Sequence, residues 1–135
     1  MEHLSTEPID LGKILDTFHY PKSGAIVLFT GETRDYSGEK IVQYLEYESH
    51  IEMAEKVISE ILSDSITRWK LNRAVCIHRI GRVDPAESAV VVVTSSPHRK
   101  EAYEANRHII DSVKKNAPIW KKEVFSDETS SWKES

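Results

Sequence analysis

Residues 88–105, SAVVVVTSSPHRKEAYEA, decide the fold of this chain. The first nine residues, SAVVVVTSS, form an apolar, β-branched run that predicts a buried strand. Ser96 and Pro97 then form a typical helix start, with a serine N-cap and a proline in the first helical position. The inner face of that helix recurs at helical spacing, through Ala102, Ala105, Ile109 and Val113. The helix is expected to end near Asn116, because Pro118 disfavours helix in the residue before it.

Outward from this unit, the same patterns predict the remaining elements. The predicted helices cover residues 9–19, with Ile14, Leu15 and Phe18 inward, and about 50–69. The predicted strands are GAIVLFTG (24–31), IVQYLEYE (41–48), AVCIHRIG (74–81) and IWKKEVF (119–125). Paired strands separated by helices are typical of an α+β domain with a mixed or antiparallel sheet. We therefore expect residues 1–135 to form a single domain.

The composition excludes several classes of protein. A net charge of −4 argues against a general nucleic-acid binder. No apolar run approaches the length of a membrane span, and the acidic first residues lack the apolar region of a secretory signal. The single cysteine, Cys76, cannot form an internal disulfide and fits the reducing cytoplasm. His50, His78 and His108 lack metal-ligand spacing, and no glycine-rich phosphate loop is present, so we expect neither metal nor cofactor.

A basic patch nevertheless interrupts this acidic chain. Between His98 and Lys122 three acids accompany seven cations, namely Arg99, Lys100, Arg107, Lys114, Lys115, Lys121 and Lys122. One basic patch on an acidic protein indicates a local anionic ligand. Its helix-end lysines have an ordinary interpretation as well, since cations in a last turn complement the helix dipole.

The start of this patch carries cations where a helix disfavours them. His98, Arg99 and Lys100 occupy a first turn, whose dipole is positive. Free N–H groups beside an arginine and a histidine form a good seat for a phosphate. Arg34, in the loop after a predicted strand, is a further candidate for an anion. In each case the alternative is an ordinary solvated side chain.

The length of the predicted helix bears on how these cations act together. Arg99 and Lys114 are fifteen positions apart, and at about 1.5 Å per residue they are separated by roughly 22 Å. No small substrate spans that distance. If both ends serve one reaction, they must come from different copies of the chain, as in a two-fold dimer with shared sites.

Four segments resemble a known family: GAIVLFTGETRD, VCIHRIGRVDP, VVVVTSSPHRKEAYEA and VKKNAPIWKKE. Together they are similar to the large, MoaE-type subunit of molybdopterin synthase, from about Pro21 to Trp132. The resemblance implies an α/β hammerhead-type fold with additional antiparallel strands. It also implies a homodimer within a heterotetramer, with one small ubiquitin-like sulfur carrier of MoaD type on each large subunit. The implied reaction transfers sulfur from the carrier's thiocarboxylated C-terminus to cyclic pyranopterin monophosphate (precursor Z), which forms the molybdopterin dithiolene.

The resemblance also implies roles for particular residues. Lys114 and Lys121 match the two catalytic lysines, although the adjacent Lys115 leaves a one-residue ambiguity. The expected substrate-binding set comprises Arg34, His98, Arg99, Lys115 and Phe29, with the His98-Arg99 pair entering the neighbouring subunit's site. A core role for Phe29 is an equal alternative. Many relatives have a longer basic C-terminal tail, whereas this sequence stops three residues after Trp132.

Overall fold

The computed structural model describes residues 1–134, which form three helices and nine strands. In chain order these are β1 (Leu4–Ser5), α1 (Leu11–Asp16), β2 (Ala25–Glu32), β3 (Tyr36–Ser37), β4 (Lys40–Ser49), α2 (Ile51–Trp69), β5 (Arg73–Arg79), β6 (Gly81–Val83), β7 (Ser88–Ser96), α3 (Arg99–Asn116), β8 (Ile119–Phe125) and β9 (Ser130–Glu134). No helix among residues 1–134 has the length and apolar character needed to cross a membrane.

The strands form two sheets, which confirms the predicted α+β class. The first sheet has the order β1-β5-β7-β2, and only its β1-β5 pair is parallel. The second has the order β3-β4-β8-β9, with β6 also paired to β4, and all its pairs are antiparallel. The predicted strand 88–96 lies inside the first sheet between β5 and β2, which explains its unbroken run of valines.

The core lies on both faces of the first sheet. On one face, α3 packs against β7 and β2 and α2 packs against β5. These helices contribute Ala54, Ile58, Ile109 and Val113 to a cluster that extends into the second sheet. On the other face, Phe18 and α1 cover Val91 and Val93. The second sheet joins the larger cluster through residues such as Leu45 and Tyr47. The two sheets and two longer helices therefore share one core, and a groove forms where the sheets meet.

The start of α3 differs from the prediction. Ser96 is not the N-cap but the last residue of β7, paired with Ala25 and fully buried. The amide of Gly24 donates to the carbonyl oxygen of Ser96 at 3.0 Å. The hydroxyl of Ser96 donates to the carbonyl oxygen of His98. Because sheet pairing occupies the backbone of Ser96, the helix starts later, with His98 as an N-cap whose side chain makes no capping bond.

The other differences concern short elements. Helix α1 spans six residues rather than eleven, although Phe18 just beyond it is buried as predicted. Strands β1, β3, β6 and β9 were not predicted, since two to five residues carry too little periodicity to detect. Helix α3 does end at Asn116, as the proline two residues later required.

Candidate active site

A small pocket of about 100 Å³ lies where the two sheets meet. The turn after β2 forms one wall, and β4 and β8 form another. The last turn of α3 contributes Lys114 as a third wall of the pocket. Its lining combines cations, acids and hydroxyl groups, including Thr33, Arg34, Tyr47, Lys114, Lys121 and Glu123.

Three of the predicted cations meet in this pocket, although 80 positions of sequence separate Arg34 from Lys114. Lys114 reaches it from the last turn of α3. Lys121 reaches it from β8, directly opposite Tyr47 of β4. Arg34 follows β2, and its guanidinium lies 5.0 Å from the centroid of the Tyr36 ring. Neighbouring strand positions and a helix end thus bring distant cations together.

Lys114 differs electrostatically from an ordinary surface lysine. Much of the residue is exposed, yet burial in the pocket lowers its pKa, and the positive charge of Lys121 lowers it further. Both effects destabilise the ammonium form. Lys114 is therefore better suited than a solvated lysine to exchange a proton with a bound substrate.

Glu123 is a pocket residue that the sequence interpretation missed. It is 5% exposed, and its carboxylate accepts bonds from Lys133 of β9 at 2.5 Å and from Ser37 at 3.4 Å. Burial alone would raise the pKa of Glu123, but these bonds, together with the positive charges of Lys133 and Lys121, outweigh burial and lower it. The alternation of β8 offered a signal, because Glu123 stands two positions after Lys121 and must share its face. Lys133 forms the ion pair with the Glu123 carboxylate. Among residues 1–134, neither Lys121 nor Lys114 forms an ion pair with it.

Two buried aromatic residues lie behind the lysines. Tyr47 is 4% exposed, and its ring meets the His78 ring edge-on, with centroids 4.9 Å apart and planes at 75°. The Nδ1–H of His78 donates to the carbonyl of Arg79 at 2.7 Å. The pKa of His78 is lowered to about 4, mainly by burial. The bond to Arg79 opposes this shift, and the charges of Lys114 and Lys121 add to it. His78 is therefore neutral at physiological pH.

The remaining predicted residues do not line the pocket of a single chain. His98 and Arg99 are exposed at the far end of α3, so the expected separation from Lys114 along one helix is present. Lys115 is exposed outside the pocket. Phe29, which is 38% exposed in β2, lies beside the pocket residue Gly31. Their roles in substrate binding stay predictions. No group of three metal-ligating side chains occurs within residues 1–134.

Comparison with known proteins gives one consistent family. A family model described as "MoaE protein" matches residues 4–116. A molybdopterin synthase catalytic subunit from Staphylococcus carnosus (strain TM300) is 41% identical over 122 residues, covering 90% of this chain and 81% of the relative. The X-ray crystal structure of molybdopterin synthase from Staphylococcus aureus has a TM-score of 0.92 at 37% identity, covering 98% of this chain and 96% of that one.

A more distant structure agrees in fold. It is a complex of subunits 1 and 2 of molybdopterin-converting factor from Helicobacter pylori 26695, with a TM-score of 0.78 at 20% identity. That match covers 93% of this chain and 85% of that one. The family match spans residues 4–116, and the Staphylococcus carnosus relative is 41% identical over 90% of this chain. Both findings confirm the resemblance seen in the motifs. The chain belongs to the MoaE protein family.

Proposed function

We propose that this chain is the catalytic subunit of a molybdopterin synthase, a sulfurtransferase of molybdenum cofactor biosynthesis. Sulfur passes from the thiocarboxylated C-terminus of a small ubiquitin-like carrier to cyclic pyranopterin monophosphate, and the product carries the molybdopterin dithiolene. The observation that carries this proposal is the convergence of Arg34, Lys114 and Lys121 in one pocket. The family and the names of the relatives support the same reaction.

The positive charges of the pocket suit a sulfur donor and a sulfur acceptor that are both anions, the thiocarboxylate and the phosphorylated pterin. Lys121 orients the thiocarboxylate and offsets negative charge that develops on the carrier's terminal carbonyl. Lys114, whose pKa is lowered, acts as general acid and base or as a covalent participant. Arg34, exposed at the rim, binds the phosphate of the pterin.

The size of the pocket suits the end of a chain. Pockets for drug-sized ligands hold roughly 300–1,000 Å³, whereas this one holds about 100 Å³. A Gly-Gly tail has no side chains and enters such a space end first. The phosphorylated pterin then lies at the mouth, where further cations are needed.

A second copy of the chain supplies those cations. In a homodimer, His98 and Arg99 of one copy approach the pocket of the other, and each copy also binds one MoaD-type carrier to give a heterotetramer. The Helicobacter pylori complex, which has this fold, likewise combines two subunits. The reaction belongs to the cytoplasm, whose reducing conditions keep thiocarboxylates and the buried Cys76 thiol intact.

A reconstituted assay tests the proposal. Wild-type protein is mixed with precursor Z and a thiocarboxylated Gly-Gly carrier, and molybdopterin is measured. We expect Lys114→Ala to lower turnover by at least roughly 100-fold, the usual scale for loss of a general acid or base. Lys56→Ala removes an exposed lysine from α2 and should leave turnover unchanged. Lys115→Ala resolves the choice between neighbouring lysines, because its effect should be much smaller than that of Lys114→Ala.

The alternative is a dimeric scaffold that docks the carrier without chemistry. Carrier affinity, measured by calorimetry on the same variants, separates the two functions. Lost turnover with normal carrier affinity in Lys114→Ala contradicts the scaffold. Undiminished molybdopterin yield from Lys114→Ala contradicts the catalytic assignment.

A further inference from the structure

The hydroxyl group of Tyr47 has no role in holding the fold together. Within residues 1–134 it makes no hydrogen bond, although the residue is 4% exposed. Its oxygen is also not one of the fully buried side-chain atoms that lack a hydrogen-bond partner in residues 1–134. Solvent in the pocket therefore reaches it. Buried tyrosines usually place their hydroxyl against a partner. A free phenol facing a pocket is therefore available to a ligand.

The position of Tyr47 is well defined. It stands directly opposite Lys121 across the β4-β8 pair, so both side chains enter the pocket from the same face. The edge-on contact with the buried His78 holds the ring from behind. His78 is itself anchored through Nδ1 to the Arg79 carbonyl. A rigid ring beside a cation is the arrangement expected of a preorganised hydrogen-bond donor.

We propose that the Tyr47 hydroxyl is a catalytic hydrogen-bond donor to the terminal carbonyl oxygen of the carrier, and that His78 is the positioning residue that orients its ring. This inference rests on the proposed function. Tyr47 and Lys121 then form the two sides of a site for negative charge on that oxygen. Lys114, in the last turn of α3, remains available to accept and donate protons.

The chemistry of sulfur release requires such a donor. Once the sulfur has bonded to the pterin, the carrier is joined to it as a thioester. Water adds to the carbonyl carbon, and the carbonyl electron pair moves onto oxygen. The electron pair on oxygen re-forms the C–O double bond as the C–S bond breaks, and the sulfur leaves with the bonding pair of that C–S bond. The carrier ends as a carboxylate, and of the two water protons one is available to the sulfur and one passes to a base.

The acidity of Tyr47 fits a donor rather than a base. Burial, with a contribution from the nearby Glu123, raises the pKa of Tyr47 to about 12. The phenol therefore keeps its proton throughout the physiological range. A group that keeps its proton donates a hydrogen bond whenever an oxyanion forms beside it.

Tyr47→Phe removes the hydroxyl and keeps the ring against His78. We expect kcat with precursor Z and a thiocarboxylated Gly-Gly carrier to fall roughly 100-fold, the scale of a lost oxyanion donor, with little change in KM for the carrier. Tyr44→Phe is the matched control, because Tyr44 lies on the same strand but contacts Arg82 outside the pocket. Turnover of Tyr47→Phe close to wild type, or an effect confined to KM, overturns the proposal.

A double-mutant cycle tests the part assigned to His78. His78→Gln should lower kcat in the wild-type background but have little further effect in Tyr47→Phe, because it acts through the same hydroxyl. Equal effects in both backgrounds contradict that link. If His78→Gln does not fold, the Tyr47→Phe result decides the proposal alone. An inactive wild-type enzyme would instead contradict the proposed function, so the two failures are distinguishable.

Discussion

A lysine accepts protons near neutral pH only when its ammonium form is destabilised, and two causes of destabilisation meet at Lys114. Burial in the pocket is the larger, and the charge of Lys121 is the second. The neighbouring Lys115 lies exposed outside the pocket. One position along the helix thus separates an amine that lines the pocket from one that faces solvent.

The contribution of Lys121 can be measured directly. Replacing Lys121 with Met removes the charge and retains most of the side-chain volume, so the pKa of Lys114 should rise. It should stay below the value of a solvated lysine, because burial persists. Titration of ¹³C-labelled lysine by NMR gives this pKa. Lys122→Met is the control, since Lys122 points away from the pocket, over Trp132. An unchanged Lys114 pKa in Lys121→Met would show that the two ammonium groups do not interact.

His78 makes the stability of the fold depend on pH. Its pKa is lowered from 6.5 to about 4 in the folded chain, so the unfolded chain binds a proton first as pH falls. Stability due to neutral His78 is fully present above pH 6.5 and is lost towards pH 4. The expected loss is on the order of 3 kcal/mol in the free energy of unfolding.

Urea unfolding between pH 7 and 4.5 measures this loss. Carboxylates also titrate in that range, so the comparison is between variants. His78→Gln should flatten the pH dependence, whereas His19→Gln, at an exposed site, should leave it as in the wild type. Parallel curves for His78→Gln and wild type would contradict the assignment.

At the scale of elements, α3 carries candidate site residues at both of its ends, His98 and Arg99 at its start and Lys114 in its last turn. Its buried face carries Ala102, Ala105, Ile109 and Val113, as predicted, together with Asn106, which was not predicted. The amide of Asn106 donates to the carbonyls of Val27 and Val92 at 3.0 Å. These bonds tie the helix to β2 and β7 and set where Lys114 projects.

The entry into α3 is equally constrained. A Cβ at Gly24 would lie 2.1 Å from the carbonyl oxygen of Pro97, which is impossible without backbone movement. Gly24→Ala should therefore lower the free energy of unfolding by about 1–3 kcal/mol, as overpacking does. It should also weaken catalysis, because His98 and Arg99 follow directly.

Gly12→Ala is the matched control for this substitution. Gly12 lies in α1, and its added Cβ meets nothing closer than 3.5 Å. Alanine favours helix over glycine by roughly 0.5–1 kcal/mol, so Gly12→Ala should be neutral or stabilising. Thermal and urea unfolding of both variants check the pair. A Gly24→Ala protein as stable as wild type would mean that the backbone at Pro97 yields easily.

Strand β9 shows what local patterning misses at this scale. Its five residues give no periodic signal, so the sequence did not predict it. Pairing with β8 instead sets Lys133 opposite Lys121 and joins it to Glu123. Sheet pairing therefore places a basic residue of β9 against the carboxylate of the pocket residue Glu123.

At the scale of the whole molecule, the proposed dimer predicts complementation between inactive variants. Lys114→Ala and Arg99→Ala homodimers should each be inactive. In a mixed dimer, one site combines the intact Lys114 of one copy with the intact Arg99 of the other. Purified mixed dimers should therefore recover about half of the wild-type turnover, as expected for two-fold symmetry with shared sites. Mixed dimers as inactive as the two parents would mean that each site is built from a single chain.

The longer elements and the family follow from the sequence by itself, because hydrophobic periodicity and proline breaks act over a few neighbouring positions. The strand 88–96, the end of α3 at Asn116 and the family motifs are all local in this sense. The convergence of Arg34, Lys114 and Lys121 was expected only from the resemblance, and its geometry required the fold.

Only the tertiary structure decided the other members of the pocket. Alternation in a strand tells which side chains share a face, but not what that face meets. Tyr47 and His78 meet across two strands that never pair, and Ser37 reaches Glu123 across 86 positions of sequence. Contacts of this kind depend on how the sheets and helices pack around one core. That packing is a property of the whole chain, and no short segment of sequence specifies it.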